Sequence, residues 1–400
     1  MVQECNYNFD EIVERRGTGC LKWDSGNEDV LSMWVADMDF KVAPPILEGL
    51  HARVNHGIFG YSIATKEYHD SAIGWFSRRY GWEIQREWFS HTPGIVSALH
   101  FTCQMLEKGQ DKVIMLSPVY YPFFQSCERN GIGVISSEMK VIDGQYEIDF
   151  DDFAAKAAME NVRAFFLCNP HNPGGRVWSR EELLRLADIC IQNDLLIVSD
   201  EIHCDIGIGG YTHHPVAGLS KEIAQHCIVF VAPSKTFNLA GMQTSFAVIP
   251  NPDIKARFDA CVARSGISRP NAMGIAALTA AYNEGEPWLE ALLDYLRGNL
   301  EYLCSFFKEN LPECWVMKPM AGYLVWFNFS GLHVDSREFH RRLLEEGKLW
   351  LDEGYLFGSP GEGFERINIA CPRAILQDGL ERMRKVVHGI RVQQAVKGES

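Results

Sequence analysis

The sequence predicts an α/β protein, with a mostly parallel sheet in a large domain joined to a smaller α+β domain. Short apolar runs such as Val113–Leu116, Ala164–Leu167 and Ile228–Val231 recur between segments of helical spacing. These runs are near-continuous rather than alternating, as expected of strands buried on both faces. A chain of 400 residues is too long for one small core and suits a large domain plus a smaller one.

Composition narrows the function classes. Apolar residues make up 46% and charged residues 22%, an ordinary soluble balance. The formal net charge of −14 opposes nucleic-acid binding and offers nothing to an anionic membrane. The first sixteen residues, MVQECNYNFDEIVERR, contain no apolar stretch of a secretory signal, and no run reaches membrane-spanning length, so a cytoplasmic protein is expected. Twelve cysteines from Cys5 to Cys371 are scattered without a C-x-x-C pair and read as reduced, mostly buried residues. His213 and His214 are adjacent and would point different ways, so no metal site is expected.

Residues 1–45 read as an N-terminal arm packing with the small domain, and Pro44-Pro45 closes it. The large domain follows over 46–284. Helical spacing covers about 46–54 and 66–80, separated by the glycine-punctuated loop His56–Tyr61. Gly94 precedes a helical run through about Glu107; such a glycine lets unpaired N–H groups approach an anion, although taken alone a plain helix start is the better account. Strands follow at Val113–Leu116, Val134–Ser137 and Ala164–Leu167. Ser179 and Glu182 form a capping box ahead of an amphipathic helix. Further strands are Leu195–Val198, Ile228–Val231 and Phe246–Ile249, and a helix over 271–284 ends the large domain. The small domain, 285–400, opens with a long helix over 287–308. It continues with strand 323–329, helix 338–346, strand 366–370 and helix 375–387.

In open α/β sheets ligands sit outside the carboxyl ends of the strands. Three successive strand ends here carry unusual polar groups: Asn172, Asp200 with His203, and Ser234 with Lys235. Singly these are a turn, a helix cap and a solvated lysine. Together with Tyr120 after another strand and Gly94 at a helix start, they suit pyridoxal 5′-phosphate. An amine condenses with its aldehyde, a carboxylate keeps its ring nitrogen protonated, an aromatic stacks on its ring, and N–H groups hold its phosphate.

At these residues the chain resembles fold-type I pyridoxal-phosphate enzymes of the class I/II aminotransferase group, and within them the MalY/PatB cystathionine β-lyases. The resemblance rests on WVADMDF (34–40), HGIFGY (56–61), PGIV (93–96), SPVYYPFF (117–124), LCNPHNPGGRVW (167–178), SDEIHCD (199–205), APSKTFNLAGMQ (232–243) and RINIACPR (366–373). It implies that Lys235 is the Schiff-base lysine and the acid/base at Cα. It gives Asp200 the pyridinium nitrogen, Asn172 the ring oxygen and the substrate side, and Tyr120 the ring face. Ile95 and Val96, after Gly94, would offer N–H groups to the phosphate, and Ser234 its hydroxyl. Tyr61 would reach the phosphate of a neighbouring subunit, which requires a homodimer. Arg366 would clamp the substrate α-carboxylate, with Ala36 and Tyr121 beside the substrate. Arg373 is a weaker carboxylate candidate and reads as structural.

Two departures stand out. His203 sits where many aminotransferases carry a tyrosine, which leaves its role open between cofactor contact and packing. Gln243 stands eight residues after Lys235, where a phosphate-binding arginine is common. The implied reaction is α,β-elimination on cystathionine or another L-cysteine S-conjugate, giving a thiol, pyruvate and ammonia. An aminotransferase on the same cofactor, and a MalY-like protein with a regulatory protein partner, are the alternatives.

Overall fold

The computed structural model describes residues 7–267 and 269–398. Residues 1–6 of the expected arm, including Cys5, and the last two residues of the small domain lie outside them. Seven strands form the main sheet: β1 Phe89–Thr92, β2 Lys112–Ser117, β3 Gly133–Glu138, β4 Val162–Cys168, β5 Leu196–Asp200, β6 Cys227–Val231 and β7 Ser245–Val248. Their spatial order is β1-β7-β6-β5-β4-β2-β3. Strands β2 to β6 pair in parallel, while β7 runs antiparallel to both β6 and β1.

Side chains alternate across this sheet. Val113 and Met115 enter one buried cluster, Ile114 and Leu116 the other; Phe166 and Phe165 divide likewise, as do Phe230 and Val229. The continuous apolar runs are therefore buried on both faces, as a parallel sheet requires. A second, antiparallel sheet contains β8 Trp315–Met317, β9 Leu324–Asn328, β10 Asp352–Glu353 and β11 Phe364–Asn368, in the order β8-β9-β11-β10. The helix Glu286–Asn310 runs ahead of it. Near the N-terminus, Leu31–Ser32 pairs in parallel with Leu349–Trp350, which brings the chain before residue 40 alongside the second sheet.

Several boundaries differ from the sequence reading. Pro44-Pro45 does not close an arm but begins the helix Pro44–His56, because proline's fixed φ suits the first turn and its missing N–H costs nothing there. The helix after Gly94 stops at Cys103 rather than near Glu107. Beyond it the Glu107 N–H donates to the Asp111 side chain, and Gly109 turns the chain with φ 78°. The last helix spans Arg373–Gly398, well past Val387. Unforeseen elements include edge strand β1, the short β8 and β10, and the helices Pro122–Asn130, Phe150–Ala157 and Pro252–Arg264. The eleven described cysteines are all free, and no described helix is long and apolar enough to cross a membrane.

Candidate active site

β4, β5 and β6 are neighbours, so their carboxyl ends open side by side. Asn172, Asp200, His203, Ser234 and Lys235 all line one cavity of about 210 Å³ there, together with Ala36, Gly94, Ile95, Val96 and Tyr120. The polar strand ends picked from the sequence thus meet in one place.

The turn after β6 is held from two sides. Thr236 Oγ1 donates to Asp205 Oδ2 at 2.8 Å. Asn238 Nδ2 donates to the Met38 and Phe40 carbonyls, each at 3.0 Å, and its Oδ1 accepts from the Met38 N–H at 3.0 Å. Between these anchors Lys235 points into the cavity, and its Nζ donates to the Ala36 carbonyl at 2.6 Å. The Tyr323 hydroxyl donates to the same carbonyl at 3.1 Å. Enclosure by protein, with the Arg366 charge adding, lowers the Lys235 amine to about 8 against the opposing pull of Asp37 and Asp200.

Asp200 ends β5 with its carboxyl buried. Desolvation raises it to about 7, against a 3.1 Å bond from the Ile202 N–H and the attraction of Lys235. His203 is buried one turn further on. Burial, aided by the Lys235 and Arg366 charges, holds its imidazole neutral, down to about 3. Its Nδ1 is buried with no partner among the described residues, so a group arriving in the cavity can meet an unspent polar atom.

At the cavity's other end, the helix Ile95–Cys103 starts immediately after Gly94. Its first N–H groups have no carbonyl to reach within the helix, and Ala98 is the first to turn back, to the Gly94 carbonyl at 3.1 Å. No atom lies within 4 Å of where a Gly94 side chain would begin. Open space beside unpaired donors makes an anion cradle, with the Ser234 hydroxyl on the same cavity wall.

Arg366 projects from β11 and is buried. Its Nη1 donates to Asn172 Oδ1 at 3.0 Å, and its Nη2 donates to the Trp34 carbonyl at 3.1 Å and to the Asp352 carboxylate. Its Nε is buried without a partner among the described residues. The guanidinium carbon lies 5.0 Å from the centre of the Phe357 ring. The Tyr120 N–H donates to the Asn172 carbonyl at 3.2 Å. Tyr120 and Tyr121 rings tilt against each other at 5.0 Å, and Tyr121 meets the Phe357 edge at 5.7 Å.

Tyr121 and Arg366 are not lining residues of this cavity, and Tyr61, Gln243 and Arg373 are not either. Tyr61 is fully exposed, in a stretch where Ile58, Phe59 and Ile63 are also largely exposed, and it does not line the cavity of its own chain. Gln243 is an exposed residue in the left-handed region at φ 46° and is not a lining residue. Arg373, as the sequence suggested, is structural: its Nε donates to Asn299 Oδ1 at 2.7 Å and its guanidinium covers the Tyr302 ring. Sequence reasoning passed over Cys168, a lining residue whose Sγ accepts from the Asn172 N–H at 3.4 Å, and Asp352, the partner of Arg366. Cys168 could have been found from its place at the end of β4. Asp352 gave no signal, because it sits in a two-residue strand within an unpatterned run.

These residues fit pyridoxal 5′-phosphate: an enclosed amine of lowered basicity, a buried carboxylate, an unpaired imidazole nitrogen, and an anion cradle in one cavity. Residues 21–383 match the model of the aminotransferase class I and II family. The chain is 42% identical over 382 residues to cystathionine beta-lyase PatB of Bacillus subtilis strain 168, covering 94% of this chain and 99% of that one. It is 31% identical to protein MalY of Escherichia coli K12, over 96% of this chain and 100% of that one. Among solved structures, cystalysin of Treponema denticola, which contains a pyridoxal 5′-phosphate cofactor, superimposes with a TM-score of 0.93 at 35% identity. That match covers 96% of this chain and 99% of that one. The pyridoxal-phosphate-bound C-S lyase of Staphylococcus hominis gives a TM-score of 0.90 at 34% identity, over 96% and 99% of the two chains. The fold, the cavity at its strand ends and these whole-length matches together make this chain a member of the class I and II aminotransferase family.

Proposed function

We propose that this protein is a pyridoxal 5′-phosphate-dependent cystathionine β-lyase, or more broadly a cysteine-S-conjugate β-lyase. It cleaves the Cβ–S bond by α,β-elimination, releasing a thiol, pyruvate and ammonia. The observation that carries the reading is the convergence of Lys235, Asp200 and Asn172 in one cavity with Arg366 bonded to Asn172. Whole-length identity to PatB supports the lyase assignment over transamination.

When bound, the cofactor's protonated ring accepts the electron pair left when a substrate Cα loses its proton. Lys235 removes that proton: an amine held at about 8 is neutral often enough near neutral pH to act as a base. Asp200 holds the ring nitrogen protonated, and the ring's charge in turn favours the ionised carboxylate. The helix start at Ile95 and Val96 and the Ser234 hydroxyl bind the phosphate. Tyr120 would stack on the ring and Asn172 would bond its oxygen. Arg366 binds the α-carboxylate, which orients Cα toward Lys235. Departure of the β-thiolate, which takes up a proton, then completes the elimination, and water hydrolyses the released 2-aminoacrylate to pyruvate and ammonia. Tyr61 serves the site of a second subunit, so the working unit is a homodimer. The same reading divides the chain near residues 45 and 284.

The test is direct. Purified protein mixed with cystathionine, without any keto-acid acceptor, is expected to release pyruvate and free thiol, and Lys235→Ala to lose both this activity and the absorbance of the lysine-linked cofactor. Turnover that requires a keto acid would mark an aminotransferase instead.

A further inference from the structure

Arg366 poses a problem of donor supply. A guanidinium carries five N–H groups, and a carboxylate binds it in a fork through two neighbouring nitrogens, either Nη1 with Nη2 or Nε with Nη2. Both forks use Nη2. In this protein both Nη2 hydrogens already have acceptors, the Trp34 carbonyl and the Asp352 carboxylate, and Asn172 takes one hydrogen of Nη1. What remains is Nε, buried and without a partner, and one hydrogen of Nη1. Those two do not form a fork. Two-pronged binding of an α-carboxylate therefore requires one Nη2 acceptor to leave.

The two acceptors are not equivalent. The Trp34 oxygen is a neutral main-chain group in a segment pinned by Asn368 Nδ2 at the Val35 and Asp37 carbonyls, at 2.7 and 2.6 Å. Asp352 is a charged side chain of the same chemical type as the incoming ligand. We propose that Asp352 is the resident counter-ion of Arg366 in the empty site, and that the substrate α-carboxylate displaces it from the Nη2 fork. It keeps a buried guanidinium paired between turnovers, when an unpaired buried charge would be strongly unfavourable. It also sets the affinity for every carboxylate ligand, because each must compete with it. This rests on the reading of Arg366 as the α-carboxylate site.

The competition has a pH signature. Asp352 faces Arg366 and Glu365 from β11, Glu353 from its own strand, His340 from the helix Ser336–Glu345, and Tyr120 and Tyr121 from the segment after β2. Burial, with Glu353 adding, raises its carboxyl to about 6, against the pull of Arg366 and His340. A second carboxylate on the same guanidinium raises it further. Binding then takes up a proton: affinity is fullest below the free-site value and falls as pH rises toward the bound-site value.

The probe is 3-(methylthio)propanoate, which has the carboxylate and thioether of a substrate but no amine to react. Its dissociation constant is measured on the holoenzyme from about pH 5.5 to about pH 8 by calorimetry in two buffers of different ionisation enthalpy. Absorbance of the bound cofactor separately counts any proton taken at its link to Lys235. For the wild type, affinity is expected to fall by up to about tenfold per pH unit above the Asp352 value, with proton uptake beyond that at Lys235. Asp352→Asn is expected to bind about tenfold or more tightly at the upper pH and to lose that excess uptake. Weaker binding by Asp352→Asn with an unchanged pH profile, or no excess uptake by the wild type, overturns the proposal; the second result stands even if the variant does not fold. Arg366→Ala separates the two readings. If it leaves binding intact, the carboxylate clamp itself is misplaced; if it abolishes binding while Asp352→Asn changes nothing, only the counter-ion proposal fails.

Discussion

Asp200 carries a stability cost that its proposed role at the cofactor ring would offset. Its buried carboxyl stands at about 7 instead of 3.8, so ionising it in the folded chain costs on the order of 4 kcal/mol before any cofactor charge arrives. The sign follows from linkage. A carboxyl whose folded value is raised contributes stability that is complete below its unfolded value and is lost as pH rises through its folded value. Between about pH 4 and about pH 7 the cofactor-free protein should therefore weaken at this site. Asp200→Asn removes the titration. Its cofactor-free form is expected to melt above wild type at about pH 8 and to converge with it toward about pH 5, while pyruvate formation collapses. Melting curves across pH check this; a variant that melts lower at every pH would show that the carboxylate is well accommodated without the cofactor.

Individual elements show where sequence reading works. The capping box was legible because it is local: Ser179 Oγ accepts from the Glu182 N–H at 3.1 Å, and Glu182 Oε2 accepts from the Ser179 N–H at 2.7 Å. Glu182 also receives Arg176 at 2.6 Å, which ties the helix to the loop carrying Asn172. Ser179→Ala is expected to cost about 1 kcal/mol in urea unfolding and to leave the Km for cystathionine unchanged. The buried strands β2, β4 and β6 were equally plain, since double-sided burial writes itself as an unbroken apolar run. β1 was not. Phe89–Thr92 is a four-residue edge strand with polar Ser90 and His91, and only pairing with β7 makes it a strand. The helix Pro252–Arg264 was passed over despite Asn251, whose side chain caps the Asp253 and Ile254 N–H groups, because Asp253, Lys255, Arg257, Asp259 and Arg264 interrupt its apolar residues. Asn172, Asp200 and Lys235 were readable as polar interruptions at the ends of apolar runs. Asp352 was invisible because its meaning depends on a cross-strand register with Arg366.

For the molecule as a whole, the proposed homodimer has its support in the exposed stretch Ile58, Phe59, Tyr61 and Ile63. Several large apolar residues facing water in sequence mark an association surface. A homodimer in which Tyr61 completes the opposite site has a decisive consequence. Tyr61→Ala and Lys235→Ala homodimers, each impaired, should regain activity when unfolded together and refolded as a mixture, since some hybrids then hold one intact site. Absence of recovery in verified hybrids, or full activity in a sedimenting monomer, would rule this out.

The segment before residue 40 reaches the cavity mainly through its main chain. The Ala36 oxygen receives Lys235 and Tyr323, the Trp34 oxygen receives Arg366, and the Val35 and Asp37 oxygens receive Asn368. An alanine scan would be nearly blind to these acceptors, since truncating a side chain leaves its carbonyl in place. Backbone ester substitution, which weakens a carbonyl as acceptor while sparing every side chain, is the chemistry that would expose them. For anyone redesigning this enzyme, the path of the chain here is the quantity to preserve, and the letters written along it are the freer choice.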